Sequence, residues 1–352
     1  MDQSHLVGCI ILGRMQINVD DVLDRARVVA LPLAVQFRGV TTREALLIEG
    51  PAGWGEFAPF LEYGPEESAH WLAAGLEAAY EGFPSPVRSE VEVNGTIPAV
   101  PAEMVPEVMQ RYPGCRTFKI KVAEPGQTLA DDVARVQAVR EAVHDMGRVP
   151  VLRVDANGGW SVDEAIEAAK ALMPLDYMEQ PCRTAEELAE VRSRLMRSGL
   201  FVRVAADESI RKVADPYRVA ELQAADVAVV KAAPLGGVKR LLQIAHDLRA
   251  HHMDITVASA LDTSVGISMG LAAVAALPKI LDDEDIDVTP AAAGLATGSL
   301  FIEDVCPPRE LVDGFLRVEH PAPSEDRLTE LAASAERRDW WFNRVRESWQ
   351  YL

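Results

Sequence analysis

Five charged residues close short apolar runs at near-regular intervals: Lys121 in F-K-I-K-V, Asp155 in R-V-D-A-N, Glu179 in Y-M-E-Q-P, Asp207 in A-A-D-E-S and Lys231 in V-V-K-A-A. Their separations are 34, 24, 28 and 24 residues. A (β/α)₈ barrel of about 250 residues spends about 30 per unit and carries its chemistry at the C-terminal ends of its strands. Charges placed once per unit at strand ends would converge on one site. Parallel barrel strands are buried, so ionised carboxylates there need a cation. Asp155, Glu179 and Asp207 therefore suggest a divalent metal site. Hard oxygen ligands on a rigid frame suit Mg²⁺, and Mn²⁺ could use the same set. The plainer reading, unrelated surface acids at loop starts, serves for any one of them but poorly for three in succession.

Lys119 and Lys121 stand at i and i+2 on one strand and share a face. The opposite face, Phe118, Ile120 and Val122, is apolar and should meet the outer helices, so the lysines should point into the barrel mouth. Two adjacent ammonium groups repel, which lowers the pKa of one and prepares it as a base. Lys231 ends a run too apolar for a solvated edge and should face Lys121 across the carboxylates. Arg153, two before Asp155, should also face inward. Asn157 and Glu208 are expected as outer partners of the ligands.

The elements that must position these groups follow the same rhythm. Candidate strands are 93–97, 117–122, 150–155, 176–179, 202–206, 226–231 and 254–258, with weaker ones near 285–302. Capping boxes start helices at Ser161–Glu164 and Thr184–Glu187, and Asp215-Pro216 starts another. Strand–helix alternation of this length means parallel β with right-handed crossovers. Before it, Ala26–Arg38, Glu44–Gly50 and Trp54–Glu56 read as an antiparallel meander. A helix opened by Gly64-Pro65 follows, running to about Gly82. Residues 1–20 show no clear pattern and read as an arm. The expected organisation is an arm and α+β cap over 1–95, a barrel over 96–305, and a segment 306–352 that packs back on the cap.

Bulk properties narrow the function. A net charge of −19 argues against nucleic acid or an anionic membrane as partner, and it only excludes. No run of about 20 apolar residues suggests a membrane span. Four scattered cysteines (Cys9, Cys115, Cys182, Cys306) without a C-x-x-C pair favour a reduced, cytoplasmic setting and no zinc cluster. Leu6–Cys9 imitates a lipoprotein box but lacks the basic and apolar regions ahead of it. Oligomeric state is not readable.

As an ordered set, K-x-K, D-x-N, E-Q-P, D-E-S and the later lysine resemble the enolase superfamily, in its muconate-lactonizing-enzyme subgroup. Phe37–Gly39, Gly50–Glu56 and Ala258–Ser264 extend the likeness to actinobacterial o-succinylbenzoate synthases, over about 24–318. The resemblance implies a modified TIM barrel, (β/α)₇β, with an α+β capping domain built from both chain ends. It implies a lyase of menaquinone biosynthesis that dehydrates 2-succinyl-6-hydroxy-2,4-cyclohexadiene-1-carboxylate to o-succinylbenzoate. Lys121 would be the base and would return the proton to the leaving hydroxide. Lys119 would lower the pKa of Lys121, and Lys231 would hold the enediolate from the opposite face. The succinyl tail should reach Ser259–Ser264, with Ser259 and Leu261 as candidate contacts, and the cap loop Phe57–Tyr63 should exclude water. An N-acylamino acid racemase or dipeptide epimerase would use the same residues. A barrel serving only to bind is disfavoured by the complete set.

Overall fold

The computed structural model describes residues 9–12, 15–37, 40–145, 147–211, 215–281 and 290–352. Seven parallel strands lie side by side in chain order: Gly95–Ile97, Thr117–Lys121, Val151–Asp155, Tyr177–Glu179, Arg203–Ala206, Val227–Val230 and Asp254–Val257. Each is followed by a helical crossover. Ala293 forms a parallel bridge with Val93, and Gly294 one with Ala258. These two residues join the first strand to the seventh and close the sheet as its eighth element. The closure is what remains of the expected late strands; residues 282–289 lie outside the described residues, as do Arg38 and Gly39.

The strand sequences explain this arrangement. Phe118, Ile120, Leu152, Val154, Met178, Val204, Ala228 and Val230 alternate outward into the large core shared with the surrounding helices. Val136, Val139 and Val143 of the helix Leu129–Asp145 belong to the same core. A separate cluster of Tyr177, Ala205, Val227, Val229 and Ala258 fills the lumen. The helices Val162–Leu172 and Ala185–Arg197 begin at the two expected capping boxes. The helix after the fifth strand begins at Asp215; the residues just before it, 212–214, are not described.

The cap is an antiparallel meander, Ala26–Phe37, Val40–Gly50 and Gly53–Phe57, covered by the helix Pro65–Leu76. Gly55 permits the close approach: a Cβ there would lie 1.9 Å from the carbonyl oxygen of Gly75. The last helix, Ala335–Trp349, packs on Pro65–Leu76 and on the first meander strand. Trp341 meets Phe57 edge to face at 5.8 Å.

One stretch differs from the sequence reading. Where described, the first 20 residues are not a patternless arm. Cys9–Leu12 pairs with Met15–Asn18, and Asn18 caps a short helix, Val19–Asp24. Its pairing depends on backbone bonds that composition does not advertise. Residues 311–317 meet the end of the N-terminal unit, at 90–92. Leu311–Val312 and Phe315–Arg317 form a small antiparallel sheet with Glu90–Glu92, ahead of the first barrel strand. Among the described residues no helix is long and apolar enough to cross a membrane. Cys115, Cys182 and Cys306 are free and buried.

Candidate active site

Register places the charges side by side. Lys121 is the Cα partner of Asp155 across the second and third strands, and Asp155 that of Glu179 across the third and fourth. Asp207 and Lys231 each follow directly on the last residue of the fifth and sixth strands. Lys119 Nζ donates to Asp155 Oδ2 at 3.1 Å and to Glu179 Oε1 at 2.6 Å. Lys231 Nζ donates to Asp207 Oδ1. Lys121 Nζ donates to Asn157 Oδ1 at 2.5 Å.

Two residues with left-handed backbone shape the loops beneath these groups. Asn157, at φ +44°, donates its backbone N–H to Asp155 Oδ1 (3.0 Å) and its side-chain amide to Glu208 Oε1 (3.3 Å). Gln180, at φ +39°, is fully buried. Its Oε1 accepts from the backbone N–H groups of Asp207 (3.0 Å) and Ser209 (3.1 Å), so the residue after Glu179 orients the loop that carries Asp207. The sequence contained Gln180 within E-Q-P, but nothing in its type revealed that role.

The electrostatics are those of a crowded buried site. Burial pushes the Glu179 carboxyl up to about 8; Asp155 and Asp207 push the same way, and Lys119 opposes them. For Lys119, burial works against the charge, but Asp155, Glu179 and Asp207 outweigh it and hold the ammonium well above its usual pKa. Burial acts to raise Asp207, yet Lys231, Arg211 and Lys119 bring it down to about 2. Lys119 is thus bonded to two of the three carboxylates, two residues from Lys121 on the same strand.

Three carboxylates on adjacent strand ends are a donor set for a hard divalent ion. Glu179 Oε2 is buried without a hydrogen-bond partner, an acceptor that a cation would satisfy. The residues thus fit a metal in kind. Among the described residues no three His, Cys, Asp or Glu side chains are already gathered as a metal cluster; ammonium groups lie against these carboxylates.

A cavity of about 820 Å³ opens over the site. Lys119, Lys121, Asp155, Asn157, Asp207, Glu208 and Lys231 line it, as do Ser259 and Leu261. Glu179 does not line it and is fully buried. Phe60, Tyr63 and Trp71 of the cap line it as well, which puts the expected cap loop at the cavity. Arg153 is inward as expected but stands apart from the cavity. Its guanidinium donates to Asp176 (2.9 Å), Asn94 (3.2 Å) and the Ala292 carbonyl (2.6 Å) and stacks on Tyr177 at 4.7 Å. It ties the first, third and fourth strands to the closing segment. Strand alternation fixed its direction but not its height in the lumen.

Sequence reasoning missed Arg211 and Arg43. Arg211 lines the cavity, donates to Glu208 Oε1 at 2.5 Å and hydrogen-bonds Tyr63 of the cap. The buried Arg43 bonds the barrel loop next to the site; between Thr42 and Glu44 it reads in the sequence as part of a turn.

Comparison with known proteins supplies relatives at this point. The sequence profile Enolase C-terminal domain-like matches residues 103–323, and Enolase N-terminal domain-like matches 28–79. The chain is 56% identical over 330 residues to an o-succinylbenzoate synthase of Mycolicibacterium smegmatis, covering 93% of this chain and 96% of the relative. It is 52% identical over 337 residues to one of Mycobacterium tuberculosis, covering 95% and 96%. Among solved structures, muconate lactonizing enzyme from Pseudomonas putida superposes with a TM-score of 0.69 at 20% identity, covering 88% of this chain and 98% of that one. An N-succinyl Arg/Lys racemase from Bacillus cereus does so with 0.68 at 19%, covering 88% and 97%. At those identities the two structures speak for the fold.

Proposed function

The chain belongs to the enolase superfamily, and on that premise we propose how its site works as an o-succinylbenzoate synthase, a metal-dependent lyase that removes water. The observation that carries this reading is the set of charged strand ends under one cavity, in a chain more than half identical to synthases over nearly its whole length. The substrate would be 2-succinyl-6-hydroxy-2,4-cyclohexadiene-1-carboxylate, and the product o-succinylbenzoate would pass to menaquinone synthesis.

The chemistry requires such a site. A proton α to a carboxylate is a very weak acid, and its removal leaves a dianionic enediolate that must be stabilised as it forms. A divalent ion held by Asp155, Glu179 and Asp207, in our reading Mg²⁺, supplies positive charge for the substrate carboxylate. Lys121, at the cavity wall, removes the proton and returns it to the departing hydroxide, so that water leaves and the ring becomes aromatic. Lys231 faces the enediolate from the other side. Lys119 donates to Asp155 and Glu179 and adds positive charge beside them. Asn157 holds Lys121 and Asp155 in one network.

We also propose that residues 1–95 with 306–352 act as the cap and 96–305 as the catalytic barrel. The test is to supply the cyclohexadiene carboxylate with Mg²⁺ and follow o-succinylbenzoate formation beside N-succinylamino acids. A higher kcat/KM for racemisation of the latter would overturn the assignment, and full activity in EDTA would remove the metal.

A further inference from the structure

One buried guanidinium touches both walls of the cavity. Arg43 lies on the cap strand Val40–Gly50 and is 5% exposed. Its Nε donates to the carbonyl of Leu261 at 3.1 Å, and its Nη2 to that of Ala260 at 3.5 Å. The same Nη2 donates to the carbonyl of Ala58, where the cap loop leaves the meander. Its Cζ stands 4.9 Å from the centre of the Phe60 ring. Ala260, Leu261 and Phe60 all line the cavity.

The barrel side of this contact needs an anchor. Leu261 has φ +61°, a left-handed conformation that a branched side chain rarely adopts and that persists only where the surroundings fix it. Asp262 Oδ2 accepts from the Ala260 N–H at 3.1 Å, and Arg43 takes the adjoining carbonyls. A planar fork can bond carbonyls of two different segments at once; a lysine ammonium in its place keeps the charge but not that span.

We propose that Arg43 is a positioning residue that fixes the cap loop at 58–60 against the barrel loop at 260–261. It thereby sets the affinity for the part of the substrate remote from Lys121. The inference rests on the synthase reading above and deepens it. The bonds of Arg43 named above run to the cap loop and to the barrel loop. Its loss should therefore weaken binding that the ground state and the transition state share, and should spare proton transfer.

The experiment is steady-state kinetics of Arg43→Lys and Arg43→Met with the cyclohexadiene carboxylate and Mg²⁺, beside thermal melts of each variant. We expect KM to rise about tenfold or more while kcat stays within about threefold and its pH profile is unmoved. An unchanged KM in a folded variant overturns the proposal, as does a fall in kcat alone. If neither variant folds, hydrogen exchange of the unaltered protein decides. Protection of 58–63 and 258–262 together on adding o-succinylbenzoate supports it, and protection of one segment only overturns it. An unaltered protein that forms no o-succinylbenzoate sinks the synthase reading instead, which keeps the two failures apart.

Discussion

Two buried glutamates, one in the barrel and one in the cap, share a pKa and differ in everything that surrounds it. Burial pushes both Glu179 and Glu56 up to about 8, with neighbouring acids adding to the effect in each. Glu56 is saturated. Its Oε2 accepts from Thr263 Oγ1 at 2.5 Å and from the N–H groups of Thr263 and Gly266, both at 3.1 Å, at the start of the helix Ser264–Ala276. Glu77 repeats the device on the next helix over, accepting from the Val238 N–H at 2.9 Å. Glu179 has Lys119 on one oxygen and no partner on the other. A perturbed carboxyl therefore does not by itself mark a functional site. The difference lies in whether its acceptors are all met: Glu56 joins cap to barrel, and Glu179 is left short in a way that a bound cation would correct.

That contrast can be broken experimentally. The largest effect should come from Lys121→Ala, with kcat lower by about 10⁴-fold and the melting temperature little changed. Near-normal turnover in this variant would refute the assigned base. Glu179→Gln should cost about 10³-fold in activity and weaken metal affinity while leaving the melting temperature little changed, because Oε2 has no hydrogen bond to lose. A marked drop in melting temperature would place Glu179 with Glu56 as a structural group. Asn157→Ala should lower activity about tenfold through the lost bond to Lys121; an effect as large as that of Lys121→Ala would give it a direct role.

Glu56→Gln should show the reverse pattern, costing about 1–3 kcal/mol of stability with kcat preserved well below the melting temperature. Its pH dependence follows from the raised pKa. Between about 4.5 and 8 the folded protein holds a proton that the unfolded chain releases. The contribution is complete below about 4.5 and is lost as pH rises towards 8, by at most about 1.4 kcal/mol per unit. The glutamine variant should flatten that slope in denaturant titrations at several pH values; an unchanged slope would put the titration elsewhere.

The barrel was legible because each buried parallel strand is an apolar run that stops at a polar residue, so spacing reported both the strand and its chemical end. Lys119 and Lys121 could be aimed inward for the same reason. The eighth element was hard to read because, among the described residues, only Ala293 and Gly294 make its bridges, too few for periodicity to register. Arg153 was aimed correctly and placed too near the chemistry, since alternation reports a face and not a depth. At the seam between cap and barrel the two loops were legible from the resemblance, but the bonds that join them were not. Arg43, Glu56 and Asp262 come from distant parts of the chain, and each, taken alone, reads as an ordinary surface charge.

The last helix carries a consequence for biosynthesis. Arg344 donates to the carbonyls of Pro59 (3.2 Å), Phe60 (2.7 Å) and Tyr63 (2.9 Å), a contact spanning 285 residues in the case of Pro59. On the ribosome the cap loop is made early and its backbone acceptors wait for a donor that emerges only after every barrel strand. The enclosed cavity is thus among the last things the nascent chain can complete. A chain stopped short of Arg344 would carry all five charged strand ends beneath a loop that its own sequence had not yet fastened.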